Sequence, residues 1–202
     1  MTRPFLAGAA ICTWLLAWPA AAEPFQTFLD MCLATNADRE AAGVRAKGAG
    51  WLPMPMDAED VAELGLKDPI LFINGDPSAV AEDAKTDEFE AMMTGWGDGK
   101  VMFGVGGVRM DICVVTSGIG DLEPFQARMT DTLGMSPVAL DDKMELWAFS
   151  RQGSGFRSEA SLVDADDEDI PRIARERKIY FAGVIPAGSS LVLMIGALRP
   201  ED

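Results

Sequence analysis

The stretch Val101-Met102-Phe103-Gly104-Val105-Gly106-Gly107-Val108-Arg109-Met110-Asp111-Ile112-Cys113-Val114-Val115-Thr116 decides how the chain is expected to fold. Residues of high β propensity lie on both sides of Gly106-Gly107, and such a pair can supply the positive φ angles of a two-residue turn. The pattern predicts a hairpin of strands 101–105 and 108–116. Along the second strand Met110, Ile112 and Val114 share one face, and Arg109, Asp111 and Cys113 share the other.

Toward the C-terminus, Leu122, Phe125, Met129 and Leu133 recur at helical spacing, with Asp121 as cap and Gly134 as stop. Strand-like runs follow at 144–150, 157–163, 178–184 and 191–198. Between them, 164–177 turns from acidic to basic and reads as a loop with a helical turn. Toward the N-terminus, Phe25, Phe28, Leu29, Cys32 and Leu33 form one apolar helical stripe, with Cys32 on its buried face. A second helix is expected over 37–47, an irregular segment over 51–56, and a short helix from Asp57 to Leu64 ended by Gly65. A strand is expected at 70–73, and Asp76-Pro77 opens another helix. Helices first, then mostly strands, imply an α+β fold: an antiparallel sheet of five to six strands with helices packed against it.

Residues 1–22 carry Arg3, an apolar run from Phe5 to Trp18, and Ala20-Ala21-Ala22. This is the layout of a cleavable export signal, with the cut between Ala22 and Glu23 and one globular domain over 23–202. The run is shorter than the roughly 20 residues that span a bilayer. Cys12 follows the bulky Ile11, which does not fit a lipidation signal. The mature chain is expected to be soluble and not inserted in a membrane.

Removing Arg3 with that leader takes the formal charge from −15 to −16. Such a charge repels nucleic acid and would steer in a basic protein partner. The 202 residues contain no histidine, which excludes Ser-His-Asp and Cys-His catalysis and histidine-ligated metals. Past the leader only Cys32 and Cys113 remain. One disulfide, closing a loop of about 80 residues, is the simplest reading; two buried thiols or a reactive cysteine are the alternatives. Composition reads as bacterial, so the expected compartment is the periplasm.

Each candidate motif lacks an essential part. Gly95-Trp96-Gly97-Asp98-Gly99-Lys100 departs from a phosphate loop at Thr94 and Val101 and reads as a glycine-rich turn. Gly104-Val105-Gly106-Gly107 lacks the third glycine of a dinucleotide fingerprint. Ser117-Gly118-Ile119-Gly120-Asp121 lacks the hydrolase elbow. Met54-Pro55-Met56 beside Trp51 is a poor copper site without histidine. Asp164, Asp166, Asp167, Glu168 and Asp169 place five carboxylates in six residues, a candidate for irregular Ca²⁺ binding although the EF-hand pattern fails at Asp169 and Arg175. No catalytic residue or cofactor is indicated. The expectation is a non-enzymatic binding or interaction domain; the alternative is a hydrolase using carboxylates or a divalent metal.

Gly50-Trp51-Leu52-Pro53, Cys113-Val114-Val115-Thr116, Leu133-Gly134 and Trp147, behind an early helical Phe…Cys, resemble the layout of small exported alphaproteobacterial proteins of unknown function. The resemblance covers most of the mature chain and implies no activity.

Overall fold

The computed structural model describes residues 23–56, 61, 65–75, 90–103, 105–117, 122–141, 144–187 and 190–201. Their centre is one sheet in which every pairing is antiparallel. Its strands are β1 (Leu52–Met54), β2 (Lys67–Asn74), β3 (Glu90–Asp98), β4 (Val108–Ser117), β5 (Val138–Asp141), β6 (Met144–Gln152), β7 (Gly155–Ser158), β8 (Ile179–Ala187) and β9 (Ser190–Pro200). The lateral order is β1-β2-β3-β4-β9-β8-β6-β5, and β7 shares the outer edge of β6 with β5. The α+β antiparallel fold is as expected, with more strands.

Three strands are missing from the sequence reading, β1, β3 and β5, and β3 changes the picture most. Gly95-Trp96-Gly97-Asp98 is no turn but the end of this strand, paired residue for residue with β4. The expected hairpin is accordingly wrong: Val101, Met102 and Phe103 belong to a short helix, α3 (Gly99–Phe103), opened by Asp98 Oδ1 accepting from Lys100 N at 2.8 Å. Glycine serves close approach here rather than turning. A Cβ on Gly97 would collide with the Met102 side chain, and one on Gly99 would lie 2.6 Å from the Val108 carbonyl oxygen.

Two further segments differ. Residues 51–56, expected irregular, contain β1, an edge strand that tolerates Pro53 because an edge leaves some N–H positions unpaired. The expected strand 157–163 stops at Ser158 and tightens into a 3₁₀ turn over Ala160–Leu162. The helix expected at 57–64, apart from Val61, the start of the helix expected from Asp76-Pro77, and the Asp121 cap lie outside the described residues, as does the leader.

One sheet face carries α1 (Pro24–Thr27), which runs on into a π-helical turn over Phe28–Leu33, then α2 (Arg39–Gly48) and α4 (Leu122–Leu133). Phe25, Phe28, Cys32, Leu33, Phe125 and Met129 pack there on Phe72, Met92, Val115, Trp147, Phe149 and Leu193. The other face carries α3 and α5 (Ile170–Glu176), over smaller clusters around Val108, Ile179 and Leu198 and around Met110 and Ile112.

Cys113 thus lies on the larger core face, not away from it, because β4 is central and buried on both sides. Cys32 and Cys113 form a disulfide, with Cα atoms 5.3 Å apart, that ties the π turn to the middle of the sheet. Among the described residues no helix is long and apolar enough to cross a membrane.

Candidate functional site

At one end of the sheet β2, β4 and β8 begin while β3, β6 and β9 end. On the α1 face, consecutive register partners there form a lateral row of Lys67, Trp96, Asp111, Ala197, Tyr180 and Phe149. Cations and rings alternate along it. Lys67 Nζ lies 4.5 Å from the Trp96 ring centre and the Arg109 guanidinium 5.4 Å. Arg199 lies 5.9 Å from the Tyr180 ring, which stacks on Phe149, and Arg151 lies 4.6 Å from Phe156. Cation–ring contacts of this kind contribute about 0.5–1 kcal/mol each where exposed.

The turn joining α1 to α2 crosses this end. Asn36 and Ala37 both stand in left-handed backbone, with φ of 59° and 57°. Asparagine tolerates that region, whereas alanine is opposed by its Cβ. Two arginines hold the turn. Arg151 donates to Asn36 Oδ1 at 2.8 Å and to the Leu33 carbonyl at 2.7 Å, and Arg199 donates to the Asn36 carbonyl at 3.4 Å. Arg199 also donates to Asp111 Oδ2 at 3.0 Å, and Arg109 lies 3.3 Å from Oδ1 of the same carboxylate.

Beside this turn opens a cleft of about 200 Å³ lined by Asp38, Arg39, Glu40, Trp96, Arg109 and Asp111. Asp68 closes its rim. It accepts from Trp96 Nε1 at 3.2 Å, its carbonyl accepts from Arg39 at 3.0 Å, and its φ is 48°. A bulge between Lys67 and Ile70 makes that conformation. Among the described residues, the three non-glycine residues with positive φ are Asn36, Ala37 and Asp68. All three border this cleft or its supporting arginines. Strained backbone held by surrounding bonds marks places where position matters.

On the opposite face, at the same end, a second cavity of about 310 Å³ is lined by Ser150, Arg151, Gln152, Arg157, Arg177 and Lys178. Beneath it lies Glu159, only 2% exposed. Ser150 Oγ donates to its Oε1 at 2.7 Å, Arg177 Nη1 lies 2.8 Å from Oε2, and Arg157 Nε lies 3.5 Å from Oε1.

No family model, curated protein or solved structure matches the chain.

The acidic loop lies apart from both clefts. Asp164, Asp166, Asp167 and Glu168 are exposed, and Asp169 accepts from Arg172 at 2.7 Å. Among the described residues no three carboxylate, cysteine or histidine groups converge to hold a metal. Arg172 pairs with this loop and with Glu176, whereas Arg177 turns to Glu159. Met54 lies on the edge strand β1.

Neither cleft was foreseen. Trp96 and Arg39 meet only through the bulged register of β2, which nothing local signals. Arg109 and Asp111 did leave a trace, as charges alternating with apolar residues in an otherwise β-rich run.

Proposed function

We propose that the protein is an exported, non-enzymatic binding domain of an oxidising compartment, and that the Trp96 cleft receives a cationic segment of a basic protein partner. The observation that carries this reading is how the cleft uses its acids. Asp111 is engaged by Arg109 and Arg199, and Asp68 by Arg39 and Trp96, so both serve to hold the wall in shape. Asp38 spends one oxygen on the Ala41 amide at the start of α2, and Glu40 is exposed with no ion pair among the described residues. The Trp96 ring is already flanked by Lys67 and Arg109, so the recognition falls to Asp38 and Glu40, which face solvent with no ion pair among the described residues, chemistry for recognising a lysine or arginine rather than for moving a proton.

The overall charge of −15 adds long-range attraction for a basic partner and makes association sensitive to salt. The Cys32–Cys113 disulfide is compatible with an oxidising compartment.

Immobilised wild-type protein and Glu40→Lys protein, exposed to the same periplasmic extract, test the reading. A basic protein should be retained by wild type at low salt, released at high salt, and not retained by Glu40→Lys. Identical eluates from the two columns, or no salt-sensitive protein on either, would contradict it.

A further inference from the structure

The cavity over Glu159 runs against the charge of the molecule that contains it. The chain has 17 lysines and arginines against 32 aspartates and glutamates, yet Arg151, Arg157, Arg177 and Lys178 line one cavity. Among the described residues, the one carboxylate that pairs with any of these four is Glu159. The Arg151 guanidinium is taken up by Asn36 and the Leu33 carbonyl, so Arg157, Arg177 and Lys178 face the concavity against the single charge of Glu159, a net excess of two positive charges that favours an anion there.

Glu159 also pre-orders the site. It is buried, accepts from Ser150, and draws the Arg157 and Arg177 guanidiniums toward one point from β7 and from the end of α5. Each guanidinium carries five N–H donors in a planar fork, and one ion pair leaves most of them unused. Forks held in place lose less conformational entropy on binding and match the paired oxygens of an oxyanion. A volume of about 310 Å³ suits a small molecule, and the aliphatic stems of arginine and lysine supply apolar walls.

We infer that this cavity binds a small oxyanion, a phosphate- or carboxylate-bearing molecule, with Arg157, Arg177 and Lys178 as its ligands and Glu159 as the positioning residue. The site is separate from the Trp96 cleft and does not rest on the partner proposed for it.

The test is calorimetric titration of the disulfide-intact protein at low ionic strength with inorganic phosphate, with citrate, and with sodium chloride at matched ionic strength. At least one of the two oxyanions should bind saturably while chloride does not. Phosphate alone would assign a phosphorylated ligand, and citrate alone a polycarboxylate. Lys178→Gln should weaken that binding about tenfold and Lys178→Glu should abolish it. Both should leave unliganded melting unchanged, since Lys178 is exposed. Arg157→Gln, also at an exposed position, should weaken binding similarly and gives a second check independent of Lys178. Failure of both oxyanions to saturate, an equal response to chloride, or wild-type affinity in Lys178→Glu and Arg157→Gln would overturn the inference.

Discussion

Asn36 carries two loads that substitution can separate. Its backbone is left-handed, and its side chain accepts from Arg151. Asn36→Ala loses both the tolerance and the acceptor and should destabilise by about 2 kcal/mol. Asn36→Gly keeps the backbone and loses only the acceptor, so it should cost about half as much. Urea unfolding of the two variants checks the order, and equal losses would mean the backbone term is absent.

Glu90 offers a residue-level test of pH. Burial raises its pKa above the ordinary carboxylate range, hydrogen bonds from Thr27 and Asn74 oppose the rise, and the Glu23 charge adds to it. Its Oε1 is buried with no partner among the described residues. A carboxyl whose folded pKa is raised favours the native state when protonated. That contribution is present at acid pH and is lost as pH climbs from the unfolded pKa through the folded one. Glu90→Gln should therefore be more stable than wild type at pH 7 and lose that advantage near about pH 4. Paired denaturant melts at the two pH values read it directly.

At the scale of elements, the passage from β3 through α3 into β4 depends on glycine. Gly99→Ala would place a Cβ 2.6–2.7 Å from the carbonyl oxygens of Val108 and Val105, which are backbone and cannot step aside. It should destabilise by about 3 kcal/mol, whereas Gly106→Ala, with nothing within 4 Å, should be nearly neutral by comparison. This passage also shows why part of the fold was not legible. Gly95 and Gly97 lower the strand signal of β3, and the reason for Gly97 is a methionine on a neighbouring helix.

Elements whose burial follows a simple period were legible: the Phe25–Phe28–Cys32 stripe, α4, and the long strands β4, β6, β8 and β9. The disulfide was legible from composition alone. The two clefts were not, because each gathers charges from strands and turns far apart in the chain. Joining the π turn after α1 to β4 across 81 residues, the disulfide should contribute about 4 kcal/mol. Cys32→Ser/Cys113→Ser should lose about that much in urea melts, and reducing the wild type should reproduce the loss.

At the scale of the whole molecule, charge is organised against its own average. A chain of net −15 gathers arginines at one end of its sheet, with a mixed-charge aromatic cleft on one face and a cationic cavity on the other. Salt should therefore act on the two sites through opposite partners. The proposed basic partner at the Trp96 cleft would gain from the global field, while an oxyanion at the Glu159 cavity would have to overcome it through short contacts. The helix-to-sheet cross-link holds α1 and the turn after it, and with them the Asn36 clamp, over this end of the sheet.

That cross-link is compatible with an oxidising compartment, and the proposed export would deliver the chain to one. Intact-mass measurement of native material, alkylated after unfolding without reductant, tests both together. The expected result is a chain beginning at Glu23, lighter by two hydrogens than its reduced form, with no alkylated sulfur. A chain that retains Met1, or one that takes up alkyl groups at Cys32 and Cys113, would contradict it.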